Sequence, residues 1–332
     1  MRRIVRALAA VAAVALAGPA LAEANVVRAA KQYGLGYLQL MIMEDQKLVE
    51  KHAKALGLDN VKSEWSTFRS SDVMNDALIS GNVDFVSLGV PGLATIWGRT
   101  RGNYDVRGVA GLNALPLFLN VRDPSIKSIR DFSDKHRIAV PAVKVSMQAL
   151  LLQMAAVKEW GENAYTKLDP LTVSLAHPDA TAMMLSGRSE VVANFSSFPF
   201  QARQLKDPEI RKITDSVEIL GGPSSFNVLA TTAKFRKENP RLYKAFLAAL
   251  DEATEIINKD KSAAADMYIR LSADKSPKEE ILAIMNDPSV RFTTEVFNLG
   301  VFTDFMAKVG SLKNPPKDWA KEMLFEEAKV SK

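Results

Sequence analysis

Apolar and polar positions along the chain switch between a period of two and a helical period, and glycines mark the changes. Asn25 to Lys31 (NVVRAAK) reads as a strand, followed by a glycine-containing loop from Gln32 to Gly36. From Tyr37 the apolar residues Leu38, Met41, Ile42, Val49, Ala53 and Leu56 recur at helical spacing until Gly57, which predicts one helix over that stretch. Val61 to Phe68 (VKSEWSTF) is a second strand, Ser70-Ser71-Asp72 a helix cap, and Val73 to Ile79 a helix stopped at Gly81. Val83 to Leu88 is a third strand, mostly apolar, as a strand buried on both faces should be.

The same order returns about a hundred residues later. Arg137 to Val140 (RIAV) is a strand, Pro141 to Ser146 a loop, and Met147 to Trp160 a helix with Leu150, Leu151, Met154, Ala155 and Val157 on its apolar side. Leu171 to Ala176 is a second strand, Pro178-Asp179 opens a helix that Gly187 ends, and Val191 to Phe195 is a third strand. DALISGNVDF (76 to 85) and TAMMLSGRSEVVANF (181 to 195) thus occupy the same place in two βαβαβ units. Right-handed crossovers put the strand-to-helix loops of each unit at the carboxyl edge of its sheet, where ligands bind. A length of 332 residues fits two such lobes better than one core.

The first 22 residues read differently. Arg2, Arg3 and Arg6 precede an apolar run from Ala7 to Ala17, a Gly18-Pro19 break and Ala20-Leu21-Ala22, the pattern of a secretory signal peptide cut after Ala22. The run falls short of the ~20 apolar residues a membrane span needs. Losing those arginines takes the formal net charge from +5 to +2. The remaining Lys and Arg are interspersed with Asp and Glu, which argues against a nucleic-acid partner. With no cysteine, the chain has no disulfide, thiolate nucleophile, lipid-anchoring thiol or Cys-based metal site. Its histidines, His52, His136 and His177, are far apart, so neither a metal nor a cofactor is expected.

AGLNALPLFLNVRDPSIKSIRDFSDKHRIAV (110 to 140) resembles the inter-lobe segment of periplasmic substrate-binding proteins of ABC importers, in the nitrate, sulfonate and taurine branch that also holds thiamine-pyrimidine binders. LVEKHAKALGLDNV (48 to 61), NDALISGNVDFVSLGVPG (75 to 92) and FTDFMAKVGSLKNPPKDWAKEM (302 to 323) carry the likeness along the mature chain, while DFSDKHR lacks a glycine usual there. The resemblance implies the type II two-lobe α/β fold, each lobe a mainly parallel sheet flanked by helices. Residues 24–114 plus 224–332 would form the first lobe and residues 115–223 the second. Two hinge crossings would lie at Asn113, Ala114 and Leu115 and at Ser225, Phe226 and Asn227. The tail, with RLYKAFLAALDEATEIINK as its clearest amphipathic helix, would pad the first lobe, and Trp319 would dock the C-terminus.

Facing sheet edges make a cleft lined by helix N-termini, whose free N–H groups and partial positive charge suit an anion. In the first lobe the candidates are Gly36 and Tyr37, the cap Arg69, Ser70 and Ser71, and the turn at Gly89 and Val90. In the second they are Lys144, Val145 and Ser146, then Asn194, Phe195 and Ser196; Lys144 is the first choice among charged partners of an anion. His177-Pro178-Asp179 opens the remaining second-lobe helix. The expected protein is a periplasmic monomer, not an enzyme. It captures a small anion of the sulfonate, taurine, nitrate or carboxylate type and hands it to an inner-membrane ABC permease with a cytoplasmic ATPase. Three alternatives stay open: a binder of a neutral heteroaromatic vitamin precursor of the thiamine-pyrimidine or riboflavin type, a receptor for another transporter class, and, remotely, a pyrimidine-synthesising enzyme of the same fold.

Overall fold

The computed structural model describes residues 22–331, so the leader expected at positions 1–22 lies almost wholly outside the described residues. The repeat predicted from the Ser-Gly stops is present as two sheets. The first has six strands in the order β11-β4-β10-β3-β1-β2, with β1 Val26–Lys31, β2 Lys62–Thr67, β3 Phe85–Gly89, β4 Val106–Ala114, β10 Asn227–Thr232 and β11 Arg291–Phe292. The second has five in the order β7-β6-β8-β5-β9, with β5 Phe118–Val121, β6 Arg137–Val140, β7 Thr172–Ser174, β8 Val191–Phe195 and β9 Arg211–Asp215.

The parallel pairs β1–β2 and β1–β3 match β6–β7 and β6–β8, the two βαβαβ units. The likeness goes further. Each sheet is extended by the strand that has just arrived from the other lobe: β5 runs antiparallel beside β8, and β10 runs antiparallel beside β3. Those strands pair in turn with β9 and β4. The helices Ser71–Ile79 and His177–Ser186 both end at a glycine in the left-handed region, Gly81 at φ 75° and Gly187 at φ 65°, a conformation that costs other residues a Cβ clash.

One predicted element differs. The helix expected from Tyr37 to Leu56 is two helices, Leu38–Asp45 and Leu48–Ala55, separated at Lys47 with φ 52°. Apolar spacing continues across the break, so the pattern carried no sign of it.

Behind the first sheet, the helix Pro240–Lys259 buries Leu242, Phe246, Leu250, Ala253 and Ile257 on one face. Its Phe246 ring stacks on Phe85 of β3 with centroids 3.9 Å apart. The C-terminal segment closes the same lobe: Trp97 Nε1 donates to the Glu322 carbonyl at 2.9 Å, and Trp319 packs against Gly300. The chain passes between the sheets twice, from Ala114 to Phe118 and from Asp215 to Asn227. Among the described residues no helix is long and apolar enough to cross a membrane.

Candidate functional site

Four of the helices that follow the facing sheet edges open directly beside one cavity. Ser71–Ile79 and Val90–Thr100 start after β2 and β3; Met147–Trp160 and His177–Ser186 start after β6 and β7. Their first turns surround a cavity of about 20 Å³, room for roughly one water. Gln32, Tyr37, Ser71, Gly89, Phe226 and Asn227 line it from the first lobe and crossing; Pro141, Ser146, Met147, Gln148, His177 and Ser197 line it from the second. No lysine, arginine, aspartate or glutamate is among them.

Hydrogen bonds fix most of these groups. Ser71 Oγ accepts from Gly89 N at 3.1 Å, and Ser146 Oγ accepts from Ala149 N at 3.2 Å, capping its helix. Tyr37 donates its phenol proton to Asn227 Oδ1 at 3.1 Å, which leaves Asn227 Nδ2 as a buried donor without an acceptor. His177 is 7% exposed, stacks on Phe200 and has Nε2 3.4 Å from the Gln148 amide nitrogen. Its Nδ1 is buried with no protein partner. Burial pushes the imidazole down to about 4, so it is neutral near pH 7. An unpaired buried donor costs about 1–3 kcal/mol, and an acceptor that reached either group would relieve that cost.

The lobes touch. Leu35 N donates to the Phe198 carbonyl across the cleft at 3.0 Å. Arg203 pairs with Asp274 at 2.7 Å, Lys308 with Glu162 at 2.5 Å, and Lys206 with Glu280, each joining one lobe to the other. Outside this seam lies a larger groove of about 1060 Å³, and Gln32 borders both spaces.

Residues 31–272 match the NMT1-like family. The chain belongs to that family. Solved structures share the NMT1-like chain's two-lobe fold. The alkanesulfonate-binding protein SsuA from Xanthomonas axonopodis pv. citri bound to MOPS is 17% identical, with 93% of this chain and 99% of that one aligned and a TM-score of 0.69. The periplasmic aliphatic sulphonate binding protein SsuA from Escherichia coli is 18% identical over 92% and 99%, TM-score 0.65. The periplasmic nitrate-binding protein NrtA from Synechocystis PCC 6803 is 14% identical over 78% and 69%, TM-score 0.59. At these identities the likeness is one of fold. A search of curated proteins finds no match.

Within this NMT1-like site, Tyr37, Ser71, Gly89 and Ser146 of the expected residues line the inner cavity. Gly36 sits behind it, its carbonyl accepting from Asn113 Nδ2 at 2.5 Å. Ser70 is buried and bonds Asp72, and the Val90 side chain is in the core. The charged partners expected for an anion are elsewhere. Arg69 is exposed; Lys144, at φ 65°, projects from an exposed loop tip with Val145. The carboxyl that feels the Lys144 charge is Asp169, raised by burial and eased by a Gln153 hydrogen bond and by Lys144.

Asn194 is committed to its own lobe, donating to Ala139 O at 3.0 Å and accepting from Gln204 at 2.8 Å. Phe195 is fully buried in the core, and Ser196 is buried with an unpartnered hydroxyl. At the crossings, Ala114 and Leu115 are buried, and Phe226 N donates to Asn113 O at 2.9 Å. Ser225 exchanges two hydrogen bonds with Phe297 at 3.0 and 3.2 Å. Phe226 and Asn227 reach the cavity wall. His177 and Ser197, in the helix opening and the strand-end run expected to face the cleft, line the cavity too, and Gln32 and Gln148 are the polar lining residues not singled out. All sit at strand ends or in first helical turns, the one signal that marks them in sequence.

Proposed function

We propose that this NMT1-like protein is an extracytoplasmic solute-binding protein that captures a small anion between its lobes and delivers it to an ABC permease. The observation that carries the reading is the convergence of four helix starts on a polar cavity with no charged side chain. Each helix start contributes about 0.3–1 kcal/mol to an anion when exposed and up to ~2 when partly buried. Four of them, with the free Asn227 and His177 donors, supply a large part of the roughly −8 kcal/mol of micromolar binding. The structural neighbours are sulfonate-binding and nitrate-binding periplasmic proteins, which supports both the ligand class and the compartment.

Closure follows from the same geometry. A ligand contacting only one lobe gains nothing from rotation about the crossings. One that bridges Asn227 and His177 binds the closed state better and shifts the population toward it. The closed surface is then what the permease engages.

A neutral heteroaromatic ligand is the second reading, favoured by the uncharged lining and by the neutral His177 ring. Thermal-shift screening separates the two. Nitrate, methanesulfonate, taurine and benzoate should raise Tm with concentration, as a native-state ligand must. If only uncharged pyrimidines or flavins do so, the anion reading is wrong.

A further inference from the structure

We propose that the loop from Ala273 to Pro277, between the helices Lys261–Ser272 and Lys278–Asn286 of the first lobe, is a latch: its Asp274 grips Arg203 of the second lobe, and the lobes part only when that pair breaks. The inference concerns the lobes themselves and not what the cleft holds, so its test is separate from that of the anion reading.

The first lobe holds the latch in place by itself. Helix Lys261–Ser272 ends at Ala273, in the left-handed region at φ 53°, and Asp274 N then donates to the Ile269 carbonyl at 3.2 Å. A residue with a Cβ is strained there, and such strain persists only where the surroundings enforce it. Asp274 Oδ1 accepts from Ser276 N at 2.7 Å, the side chain closing a turn on its own backbone. Those bonds hold the carboxyl without help from the second lobe and leave Oδ2 for Arg203 Nη2 at 2.7 Å. The other partner is braced in the same way: the Arg203 guanidinium lies 5.8 Å from the centre of the Phe200 ring in its own short helix, Phe200–Gln204.

Burial decides which of the cross-lobe pairs carries weight. Lys206 and Lys308 are each 49% exposed, so their pairs with Glu280 and Glu162 are solvated and screened and hold the lobes weakly. The Asp274 side chain is 5% exposed and that of Arg203 32%. A carboxylate so shielded is costly to leave without its cation, whereas parting the lobes lets water reach both ends of the pair. Loss of either partner therefore shifts the balance toward the open form. The pair also stands at the mouth of the cleft, with Asp274 and Arg203 on opposite walls of the groove of about 1060 Å³. Gly34 lines the same groove, next to the backbone bond from Leu35 to Phe198 that crosses the seam.

Hydrogen exchange followed by NMR on the purified protein, with no solute added, tests this at the Leu35 amide. That residue is fully buried and its N–H is bonded to the opposite lobe, so its exchange rate follows the population of parted lobes. Asp274→Asn keeps an oxygen for Ser276 N and removes the charge; it and Arg203→Gln should each speed Leu35 exchange by about tenfold. The double variant should exceed neither by more than about twofold, as for two halves of one contact. Amides of β3 should stay within about twofold of the parent, and Lys206→Ala and Lys308→Ala should leave Leu35 there too. Leu35 exchange unmoved by Asp274→Asn or by Arg203→Gln overturns the latch, as do additive effects in the double variant. An equal rise in Lys308→Ala, or β3 amides rising in step with Leu35, overturns it as well, the first by making the pair one among equals and the second by showing a general loss of stability.

Discussion

The phenol of Tyr37 and the side-chain amide of Asn227 meet across 3.1 Å, tying the first turn after β1 to the strand that re-enters the first lobe at the second crossing. Burial drives the Tyr37 phenol well above its ordinary range, so it stays a proton donor at any pH the protein meets. The bond fixes which way round the Asn227 amide sits.

Tyr37→Phe removes that donor and leaves Asn227 Oδ1 buried without one. The expected loss is about 1–3 kcal/mol, read as a lower urea midpoint with an unchanged slope. Ligand affinity should fall as well, because the Asn227 amide is then free to rotate. A midpoint equal to the parent's would show that this bond contributes nothing.

Gly34→Ala should hold the lobes apart. Gly34 has φ 112°, and a Cβ there would sit 2.8 Å from the Phe198 carbonyl oxygen that also receives the Leu35 N–H. The contact is with backbone of the opposite lobe, so opening relieves it, whereas the strain of a Cβ at this positive φ persists in either state and lowers stability as well. Small-angle scattering should report a larger radius of gyration for the ligand-free variant, and affinity should drop by about tenfold or more. A radius identical to the parent's would refute the assignment.

His177 gives stability a defined pH dependence. Unfolded, the imidazole takes up a proton near its ordinary value of 6.5; folded, burial holds protonation off until about 4. Between those values the unfolded state binds more protons. Stability is therefore complete above about 6.5, falls as pH drops toward 4 and levels off below, a loss of roughly 3 kcal/mol. No carboxylate or cation lines the cavity beside the ring; Gln148 and Phe200 are its neighbours. Carboxylates held below their usual range, such as Asp45 by Arg270 and Asp123 by Ser125, add their own acid losses. Subtracting the profile of His177→Gln isolates the histidine, and equally steep profiles would assign the dependence to those other groups.

Lys144→Ala should leave anion affinity within about twofold, since the side chain is solvated and an exposed charge contributes little. A tenfold loss would show that the loop from Pro141 to Ser146 turns inward on binding.

Where glycine and proline punctuate the chain, the sequence was legible to the residue. Arg137–Val140, Met147–Trp160 and Val191–Phe195 fall where the periodicity puts them. The break at Lys47 was hidden because nothing in Gln46-Lys47 interrupts the apolar spacing. The strand-end rule located the loops of the cleft but not the atoms within them. Asn194 turns away because Ala139 and Gln204 claim its amide, and Lys144 stands at an exposed loop tip. Gln32 and Gln148 carry no motif at all. Their place in the wall comes from tertiary packing alone.

The interleaving of β10 between β3 and β4 bears on how the molecule is made. As the polypeptide emerges, β1 to β4 are in hand early, yet the slot between two of them stays empty until the whole intervening lobe has been synthesised. The second lobe is one unbroken stretch and is free to fold first, whereas its partner has to wait with an open seam in its central sheet, the interval in which a chaperone would have most to protect.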